Sequence, residues 1–287
     1  MDDFGVLLIN KPPNITSFDV VRKLRKITGL KKIGHTGTLD PFATGLMQLC
    51  IGKATRIAGK LTSEKKTYEV TCQLGIKTDT GDTTGKVIAE KEIPDISEKV
   101  LKNLQTAITQ ITSQIPHNYS AVKIAGKRAY NLARKNEKIV LKSRPIKIFS
   151  FDIQDFKDDK ISYLAQVSKG TYIRVLSETI AQKLGTIGTT IKLNRTHIGN
   201  IDIAQSVKLD ELESENWKNH LISLPTIFSS LSQVNLDDDQ KLTFQHGNFV
   251  VSSKKSEGEV IVLDDKGDCL GFGNIDNYEL KPKIVFI

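Results

Sequence analysis

The sequence predicts an α+β protein that ends in a small all-β segment, and three patterns support this prediction. Residues 67–76 alternate between apolar and polar side chains, which is typical of a half-buried strand. In 18–27, and again in 100–111, apolar residues recur at the spacing of one helix face. From about residue 230 onward, short apolar runs alternate with turn signals, which is typical of a small β domain.

The composition is that of a globular protein with a basic surface. The chain has 287 residues, of which 39% are hydrophobic and 26% charged, so it is long enough for one large domain and one small one. The formal net charge of +8 favours a polyanionic partner such as a nucleic acid. The first apolar run, Val6 to Ile9, is too short for a signal peptide or a membrane span, and we expect no membrane association.

The cysteines and histidines do not form the patterns of a metal or disulfide site. Cys50, Cys72 and Cys269 are far apart, and none of the five histidines lies at metal-ligand spacing from a cysteine or another histidine. We therefore expect no metal site and no disulfide. Reduced, buried thiols fit a cytoplasmic protein.

The N-terminal elements are a strand followed by a capped helix. Residues 5–13 predict a short buried strand that ends in a rigid turn at two prolines. Thr16 and Asp19 form a capping-box pattern, and Gly29 is a typical helix C-terminus. The helix between them is crowded with basic residues. A solvated surface and a phosphate-attracting surface explain that charge equally well.

A glycine-rich stretch, Gly34 to Gly45, follows this helix and predicts a shaped loop. It holds one carboxylate, Asp40, which Pro41 biases towards an extended conformation. His35 precedes Asp40 by five residues. A tight structural turn is the simpler interpretation of glycine-rich loops in general, but it does not account for a stretch of this character.

The middle of the chain predicts a helix over about 97–112, a strand over 161–168 and a further helix that bears Leu176, Ile180 and Leu184, and the point where strand becomes helix is left open. If Tyr172 and Arg174 are still extended, they share one face of the strand. A basic segment lies between the first helix and this strand. It has nine cations against one acid, with two tyrosines interleaved, which favours an RNA or DNA contact over a solvated surface. The cations are Lys123, Lys127, Arg128, Arg134, Lys135, Lys138, Lys142, Arg144 and Lys147.

Asp40 is a candidate nucleophile, because this loop lacks the residues that a glycosidase site or a P-loop would need. Glycosidases usually need two carboxylates, and the loop has one. A P-loop needs Lys-Ser/Thr after its glycines, whereas this loop continues Leu39-Asp40-Pro41. A lone carboxylate can act covalently if it stays ionised, and a buried cation such as Arg174 would lower its pKa.

Several short motifs, taken together and in this order, resemble those of one known family. The stretch from Gly34 to Gly45 resembles the signature loop of the TruB-type tRNA pseudouridine-55 synthases, relatives of the guide-RNA enzymes of archaea and eukaryotes. Any single motif of this kind is weak evidence for a family, but so many motifs in the order typical of the family are strong evidence. The resemblance extends over nearly the whole chain. The further motifs are Lys11-Pro12 with Thr16-Ser17, Lys66-Thr67-Tyr68, Tyr119-Ser120-Ala121 with Lys123, Lys169 through Arg174, and Leu193-Asn194-Arg195-Thr196.

The resemblance implies the architecture. It implies a pseudouridine synthase fold, with a central mixed, mostly antiparallel sheet flanked by helices. The catalytic domain would be 1–230, with a basic RNA-gripping insertion at about 116–147, and 231–287 would be a PUA-like RNA-binding domain. Because so small a domain is marginal alone, we expect it to pack against the larger one.

The resemblance also implies a reaction and a site. The reaction would convert uridine 55 in the tRNA T loop to pseudouridine by base flipping, without a metal or organic cofactor. Asp40 would attack C6 of the uracil or C1′ of the ribose, and both remain open. The implied catalytic residues are Asp40, Tyr68 and Arg174; the implied substrate-binding residues are His35, Tyr68, Tyr172 and Leu193; and the implied RNA-gripping residues are Lys123, Lys127 and Arg128.

From pattern alone, plainer roles fit several of these residues. Tyr68 and Leu193 suit a core, and Asp82 in the polar loop 77–85 suits a side-chain turn. The sequence also departs from the family, with Asn14 where glycine is usual and Asn194 where arginine is usual. Pro116-His117-Asn118 also differs from the family's commoner forms.

The partners implied are tRNA, through its T stem-loop, and no guide RNA, with the protein acting as a monomer. Two other functions stay open at this point. One is a tRNA-folding chaperone, or RNA-binding module, in which catalysis is secondary. The other is a subunit of a guide-RNA particle.

Overall fold

A computed structural model describes residues 4–117, 123–124, 127–128 and 141–286. The α-helices of these ranges are α1 (Ser17–Thr28), α2 (Ala58–Thr62), α3 (Glu98–Thr109), α4 (Ile173–Lys183), α5 (Leu224–Ile227) and α6 (Asp238–Gln245), and short 3-10 helices span Gly52–Ile57, Ile203–Gln205 and Trp217–His220. The strands that belong to the first half of the chain are β1 (Gly5–Lys11), β2 (Ile33–His35), β3 (Thr44–Ile51), β4 (Lys66–Leu74), β5 (Ile76–Thr78), β6 (Val87–Glu90), β7 (Ser113–Gln114), β8 (Lys123–Ile124), β9 (Lys127–Arg128) and β10 (Arg144–Pro145). The later strands are β11 (Ile148–Lys157), β12 (Lys160–Val167), β13 (Gly188–Ile198), β14 (Ile201–Asp202), β15 (Val207–Lys208), β16 (Ser232–Leu236), β17 (Val250–Val251), β18 (Ser256–Asp264), β19 (Cys269–Asp276) and β20 (Glu279–Val285).

The larger unit is built on one mixed sheet. Its strands run in the order β11-β12-β4-β13-β3-β1-β15, with β14 beside β13 and β2 beside β3. The pairs β1–β15 and β3–β13 are parallel, whereas the other pairings along this sheet are antiparallel. This arrangement confirms the predicted α+β class and the mixed, mostly antiparallel sheet.

Helix α1 begins and ends where its sequence signals predict. The Thr16 hydroxyl accepts a hydrogen bond from the Asp19 N–H at 3.0 Å, and the Asp19 carboxylate accepts one from the Thr16 N–H at 2.9 Å. Gly29, with φ 72°, adopts the left-handed conformation that ends the helix. Its inner face is buried in the core below the sheet, so that its polar face is left to solvent.

Strand β4 shows the predicted alternation. Tyr68, Val70 and Cys72 are buried on one face, while Glu69 between them is exposed. The strand ends at Leu74, two residues earlier than expected, because Gly75 takes a positive φ of 81° and turns the chain into β5.

The tail has a separate sheet in the order β16-β18-β19-β20-β17. Strands β18, β19 and β20 are antiparallel neighbours, and β16 joins β18 in parallel. The predicted tail of strands therefore exists, but it also contains α6. The sequence carried a signal for that helix, since Asp237 and Gln240 form a reciprocal capping box.

The tail packs against the larger unit, as predicted, through one continuous apolar core. Outside this core, Lys60 pairs with Glu259, and the Arg56 guanidinium donates to the backbone oxygen of Val285. The two units are therefore joined by burial of apolar surface as well as by polar contacts. The shared core contains Phe4, Val6, Leu8, Leu46 and Cys50 from the larger unit and Ile261, Leu263, Cys269, Phe272 and Phe286 from the tail.

Three further properties concern the described ranges only. No helix in them is both long and apolar enough to cross a membrane. The same ranges bring no three metal-ligating side chains together at a distance that could hold an ion. Cys50, Cys72 and Cys269 are buried and form no disulfide, and burial raises the pKa of both Cys50 and Cys72 to about 12.

Candidate active site

The glycine-rich stretch forms a loop over 36–43 between β2 and β3. The predicted stretch was longer, because its first two and last two residues belong to these strands. Ser17, at the start of α1, fixes the loop: its hydroxyl accepts from the Leu39 N–H at 2.8 Å and donates to the Leu39 carbonyl at 2.9 Å. The residue before Asp40 is thus tied to the helix on both sides of its backbone.

Gly45 is the one glycine of this stretch that the structure requires on two grounds. Its φ of 109° is unfavourable for any other residue. A Cβ at this position would also lie 2.4 Å from the Arg195 carbonyl oxygen and 2.7 Å from the Asn194 Oδ1. The parallel strands β3 and β13 meet here, with Gly45 opposite Arg195, so only glycine lets the two backbones approach.

Asp40 is held by a buried arginine. Arg174 donates from Nη2 to Asp40 Oδ1 at 2.9 Å, and its Nε lies 2.9 Å from Oδ2, so the pair is bidentate. The Arg174 side chain is 4% exposed, whereas that of Asp40 keeps 30% exposure. The carboxylate is therefore anchored from below and open to a substrate from above.

Arg174 reaches Asp40 from a helix rather than from a strand. The condition under which Tyr172 and Arg174 would share a strand face is not met, because β12 ends at Val167 and α4 begins at Ile173. Tyr172 is still extended as the residue that precedes the helix. Gly170, with φ 83°, turns the chain between the two elements.

Asp82 lies on the other side of Arg174. Its Oδ2 is 3.3 Å from Arg174 Nη1, and its side chain is 5% exposed. Its Oδ1 accepts from the Thr84 N–H at 2.9 Å, which is the side-chain turn that the sequence suggested. Asp82 therefore forms this turn and contacts Arg174 at the same time, and the Thr80 carbonyl accepts a further hydrogen bond from Arg174 at 2.7 Å.

Opposing effects act on the charge of Asp40. Burial raises the pKa of Asp40 above its ordinary value, and the nearby negative charge of Asp82 raises it further. Arg174 and, more weakly, Lys11 lower that pKa. The net direction is upward, so Asp40 is a stronger base than an exposed aspartate while still paired with a cation.

Lys11 is a buried residue that the motif contained but to which no role was assigned. Its ammonium group donates to the carbonyls of Pro12 and Ile15 at 2.8 Å each and of Pro41 at 3.2 Å. It is 0% exposed, and burial lowers the pKa of Lys11 to about 8. Lys11 thus joins the turn after β1 to the residue that follows Asp40. A lysine directly before two prolines was the available signal.

Asn14, in the same turn, replaces a usual glycine. It takes the left-handed conformation with φ 66°, as expected of asparagine. Its N–H donates to the Pro41 carbonyl at 2.8 Å, so the substitution preserves the turn.

Tyr68 and Leu193 lie on neighbouring strands, β4 and β13. Both are buried, at 8% and 5% exposure, in the same apolar cluster as Leu39 of the loop. Within β4 and β13, Tyr68 is opposite Arg195, and Leu193 is opposite Val70. The two side chains therefore belong to the same apolar core as Leu39 of the Asp40 loop.

Tyr172 is held through its backbone. Its N–H donates to the Gln114 side-chain oxygen at 2.8 Å, and its carbonyl accepts from the Gln114 amide at 3.1 Å. Gln114 therefore acts like a paired strand residue and links β7 to the start of α4; sequence patterns gave no signal for this role. His35 ends β2 opposite Leu49 and leads into the loop.

The structure describes only part of the predicted basic segment. Lys123, Lys127 and Arg128 lie in β8 and β9, a two-stranded pairing separate from the central sheet, in which Lys123 is opposite Arg128. Most of the predicted basic segment 119–147 lies outside the described residues. Asn194, in place of the usual arginine, accepts from the Thr44 hydroxyl at 3.1 Å and donates to Glu69 at 3.2 Å.

This chain resembles a family of RNA-modifying enzymes along both of its units. Residues 25–173 match the model of the "TruB family pseudouridylate synthase (N terminal domain)", and residues 232–286 match that of "Pseudouridine synthase II TruB, C-terminal". A protein of Clostridium tetani named tRNA pseudouridine synthase B is 40% identical over 82% of this chain and 81% of its own length. One of the same name in Fusobacterium nucleatum is 39% identical over 96% of this chain and 97% of its own length.

Solved structures agree on the fold. An H/ACA RNP bound to a substrate RNA containing 2′-deoxyuridine contains a chain that superposes with a TM-score of 0.71, at 21% identity, over 99% of this chain and 86% of that chain. A Cbf5-Nop10-Gar1 complex gives the same TM-score at 23% identity, over 99% of this chain and 85% of that one. Such identities show a shared fold alone, whereas the relatives and family models match in sequence over most of the chain. The chain therefore belongs to the TruB family of pseudouridylate synthases and is an enzyme of the isomerase class.

Proposed function

We propose that this enzyme converts uridine 55 in the T loop of tRNA to pseudouridine, with Asp40 as the nucleophile. One observation supports Asp40 above all: its carboxylate is gripped by the buried Arg174 at two distances of 2.9 Å and yet keeps 30% exposure. A purely structural ion pair has no need of an open face. The tRNA substrate is supported by the names of the curated relatives.

The reaction replaces the N1–C1′ bond between the uracil and the ribose with a C5–C1′ bond. Asp40 attacks C6 of the uracil or C1′ of the ribose, and the N1–C1′ bond breaks. The base rotates, its C5 bonds to C1′, and the bond between Asp40 and the substrate carbon breaks, which regenerates the free carboxylate. The C5 proton then leaves and N1 gains a proton, so atoms and charge balance without an oxidant or reductant. In this scheme, metal ions and organic cofactors have no step to perform.

Each remaining site residue has a proposed role in this scheme. Tyr68 stacks on the target base and helps to move the C5 proton. Tyr172 and Leu193 line the uridine pocket, and Arg174 keeps Asp40 ionised. His35 contacts the RNA with the base flipped out, a state that costs a few kcal/mol of stacking.

The RNA-gripping residues and the tail extend the proposed contact beyond the site. Lys123, Lys127 and Arg128 bind the T stem-loop from the insertion. We propose 231–287 as the second, PUA-like RNA-binding unit, because it has its own sheet from β16 onward and a family match from residue 232.

We further propose that the enzyme acts as a monomer without a guide RNA. The relatives named tRNA pseudouridine synthase B match at 39–40% identity, whereas the chains of H/ACA RNP complexes match in fold alone. A cytoplasmic location, which the spacing of the cysteines predicted, is part of the same proposal.

The test is conversion of unmodified tRNA by the purified protein, without guide RNA, mapped by carbodiimide-blocked primer extension. We expect one stop at the T-loop uridine. The Asp40→Asn variant keeps the size of the side chain and should abolish the stop while still binding tRNA. Asp79→Asn is the control, because Asp79 accepts from the Lys86 N–H in the neighbouring loop, and it should react normally.

Two outcomes contradict the proposal. If the wild-type protein gives no stop at the T-loop uridine, the substrate assignment is wrong. If Asp40→Asn retains turnover, Asp40 is not the nucleophile. A variant that loses turnover but still refolds misfolded tRNA as well as the wild type would favour the chaperone alternative.

A further inference from the structure

A stripe of three exposed residues runs along the outer face of α1. Phe18, Arg22 and Arg25 follow each other at spacings of four and three residues, which places them on one side of a helix. We refer to these three residues as the α1 stripe. Seven residues of helix span about 10 Å, so the stripe is long enough to face more than one nucleotide.

Phe18 is an unusual residue for this position. It is 60% exposed, although it belongs to a helix whose Val20, Val21 and Leu24 are well buried. The Arg25 guanidinium carbon lies 6.0 Å from the centre of its ring, which is within the range of a cation–π contact. An exposed aromatic ring beside a guanidinium is a surface on which a nucleobase can stack.

The charge of this helix is not balanced in the way of an ordinary solvated helix. Solvated helices usually pair cations with acids three or four residues away. Between residues 17 and 32 the only acid is Asp19, which is already used by the Thr16 cap and by its pairing with Arg22. Arg22 keeps 62% exposure despite that pairing. The other exposed cations of this stretch are Lys23, Arg25, Lys26, Lys31 and Lys32.

The stripe begins next to the catalytic loop. Phe18 directly follows Ser17, whose hydroxyl bonds to both backbone groups of Leu39, the residue before Asp40. An RNA that places a nucleotide on Asp40 therefore brings its neighbouring nucleotides close to the first turn of α1. The match to the family model begins at residue 25, so Phe18 and Arg22 lie outside it.

From these observations we infer that the α1 stripe is a second RNA-binding surface of this enzyme. Phe18 stacks on a nucleotide of the same loop as the target, and Arg22 and Arg25 bind phosphates next to it. The inference rests on the proposed function, because it takes the substrate to be an RNA loop presented to Asp40.

The test measures binding of an unmodified T stem-loop RNA to the full chain in the Asp40→Asn background, over a range of salt concentrations. The double variant Arg22→Gln/Arg25→Gln should reduce the slope of log Kd against log salt by about 1.4, or about 0.7 for each single-strand phosphate contact. Lys157→Gln/Lys160→Gln is the control of equal charge. These lysines flank the hairpin turn between β11 and β12 and should leave the slope unchanged.

Phe18 has its own arm of the experiment. Phe18→Ala should raise Kd about fivefold or more, the lower end of what base stacking contributes, without changing the salt slope. Phe18→Trp should preserve the affinity. With Asp40 intact, both stripe variants should raise KM and leave kcat at saturating RNA unchanged. The melting temperature should stay the same, because an exposed ring leaves no cavity when it is removed.

The inference is overturned if the double variant shows the salt slope of its control, if Phe18→Ala binds as tightly as the wild type, or if kcat falls with KM unchanged. The last result would show a structural role. A wild-type protein that binds the RNA without making pseudouridine refutes the proposed reaction alone, since the affinity series still decides the stripe. If the wild-type protein does not bind RNA, both proposals are refuted.

Discussion

Asp82→Asn is the substitution that best tests how the charge of Asp40 is set. Asp82 and Asp40 both contact the guanidinium of Arg174, so they share one cation. The negative charge of Asp82 raises the pKa of Asp40. Its removal should lower the pKa of Asp40, and the acidic limb of kcat/KM should move to lower pH, because the proposed mechanism requires Asp40 to be ionised.

The same substitution should destabilise the fold by an amount that the contacts define. The Asp82 oxygen that lies 3.3 Å from Arg174 becomes an amide NH₂, which places a donor against a donor. Both side chains are at most 5% exposed. Breaking one partner of such a pair costs about 3–5 kcal/mol, which corresponds to a fall in melting temperature of roughly 6–20 °C.

The assay is pseudouridine formation as a function of pH, together with thermal and denaturant unfolding. Asp79→Asn is the matched control, because Asp79 lies in the same polar loop region as Asp82. It should change neither the acidic limb of the pH profile nor the stability of the protein. The reasoning is refuted if the acidic limb of Asp82→Asn stays in place or moves to higher pH. It is also refuted if the variant is as stable as the wild type, since Asp82 would then not be a buried partner of Arg174.

Two further predictions concern Lys11 and Gly45, which hold the Asp40 loop in place. The pKa of Lys11, lowered by burial to about 8, predicts that activity falls as pH rises through about 8, because a neutral amine has two N–H groups for three carbonyls. Lys11→Met should be slower and lack this limb. In the unfolded chain the pKa of Lys11 is near 10.5, so between about pH 8 and 10.5 the unfolded state binds a proton that the folded state has lost. The free energy of unfolding of the wild type should therefore rise with pH in that window, and that of Lys11→Met should not show this rise. Gly45→Ala should prevent stable folding, because its Cβ would lie 2.4 Å from a backbone oxygen. Gly29→Ala should lower the free energy of unfolding by only about 1 kcal/mol, because its Cβ would have no other atom within 4 Å. Denaturant unfolding measures both effects. A Gly45→Ala protein as stable as Gly29→Ala would contradict this account.

Local signals predicted the elements whose causes are local. The capping box of Thr16 and Asp19 and the left-handed Gly29 fix α1 through contacts a few residues apart, so the sequence contains the whole explanation. The alternation that buries Tyr68 and exposes Glu69 is equally local. The capping box of α6 is a local signal of the same kind, although the other patterns of the tail predict strands.

Contacts between distant residues could not be predicted in the same way. Gln114 bonds to the backbone of Tyr172 across 58 residues, and neither residue type indicates the other. The position of Arg174 in a helix depended on a turn at Gly170 that strand periodicity does not show. Lys11 is similar: its three carbonyl partners come from two loops that meet only in the folded chain. Spacing could not show the pairing of Arg174 with Asp40, because 134 positions separate the two residues along the chain.

The core shared between the tail and the larger unit should make the stability of each unit depend on the other. Ile261 and Phe272 are completely buried, and each such side chain contributes about 1.5–3 kcal/mol through burial. Cutting the chain near residue 230 would uncover their partners on β1 and β3, so the catalytic sheet would lose stability together with the tail. Strand β3 begins four residues after Asp40, and its Leu46 faces this core while its carbonyl accepts from Arg195 at 2.7 Å. The tail therefore supports the Asp40 loop through β3, and we expect that a weakened contact between the tail and β3 would displace the Asp40 carboxylate.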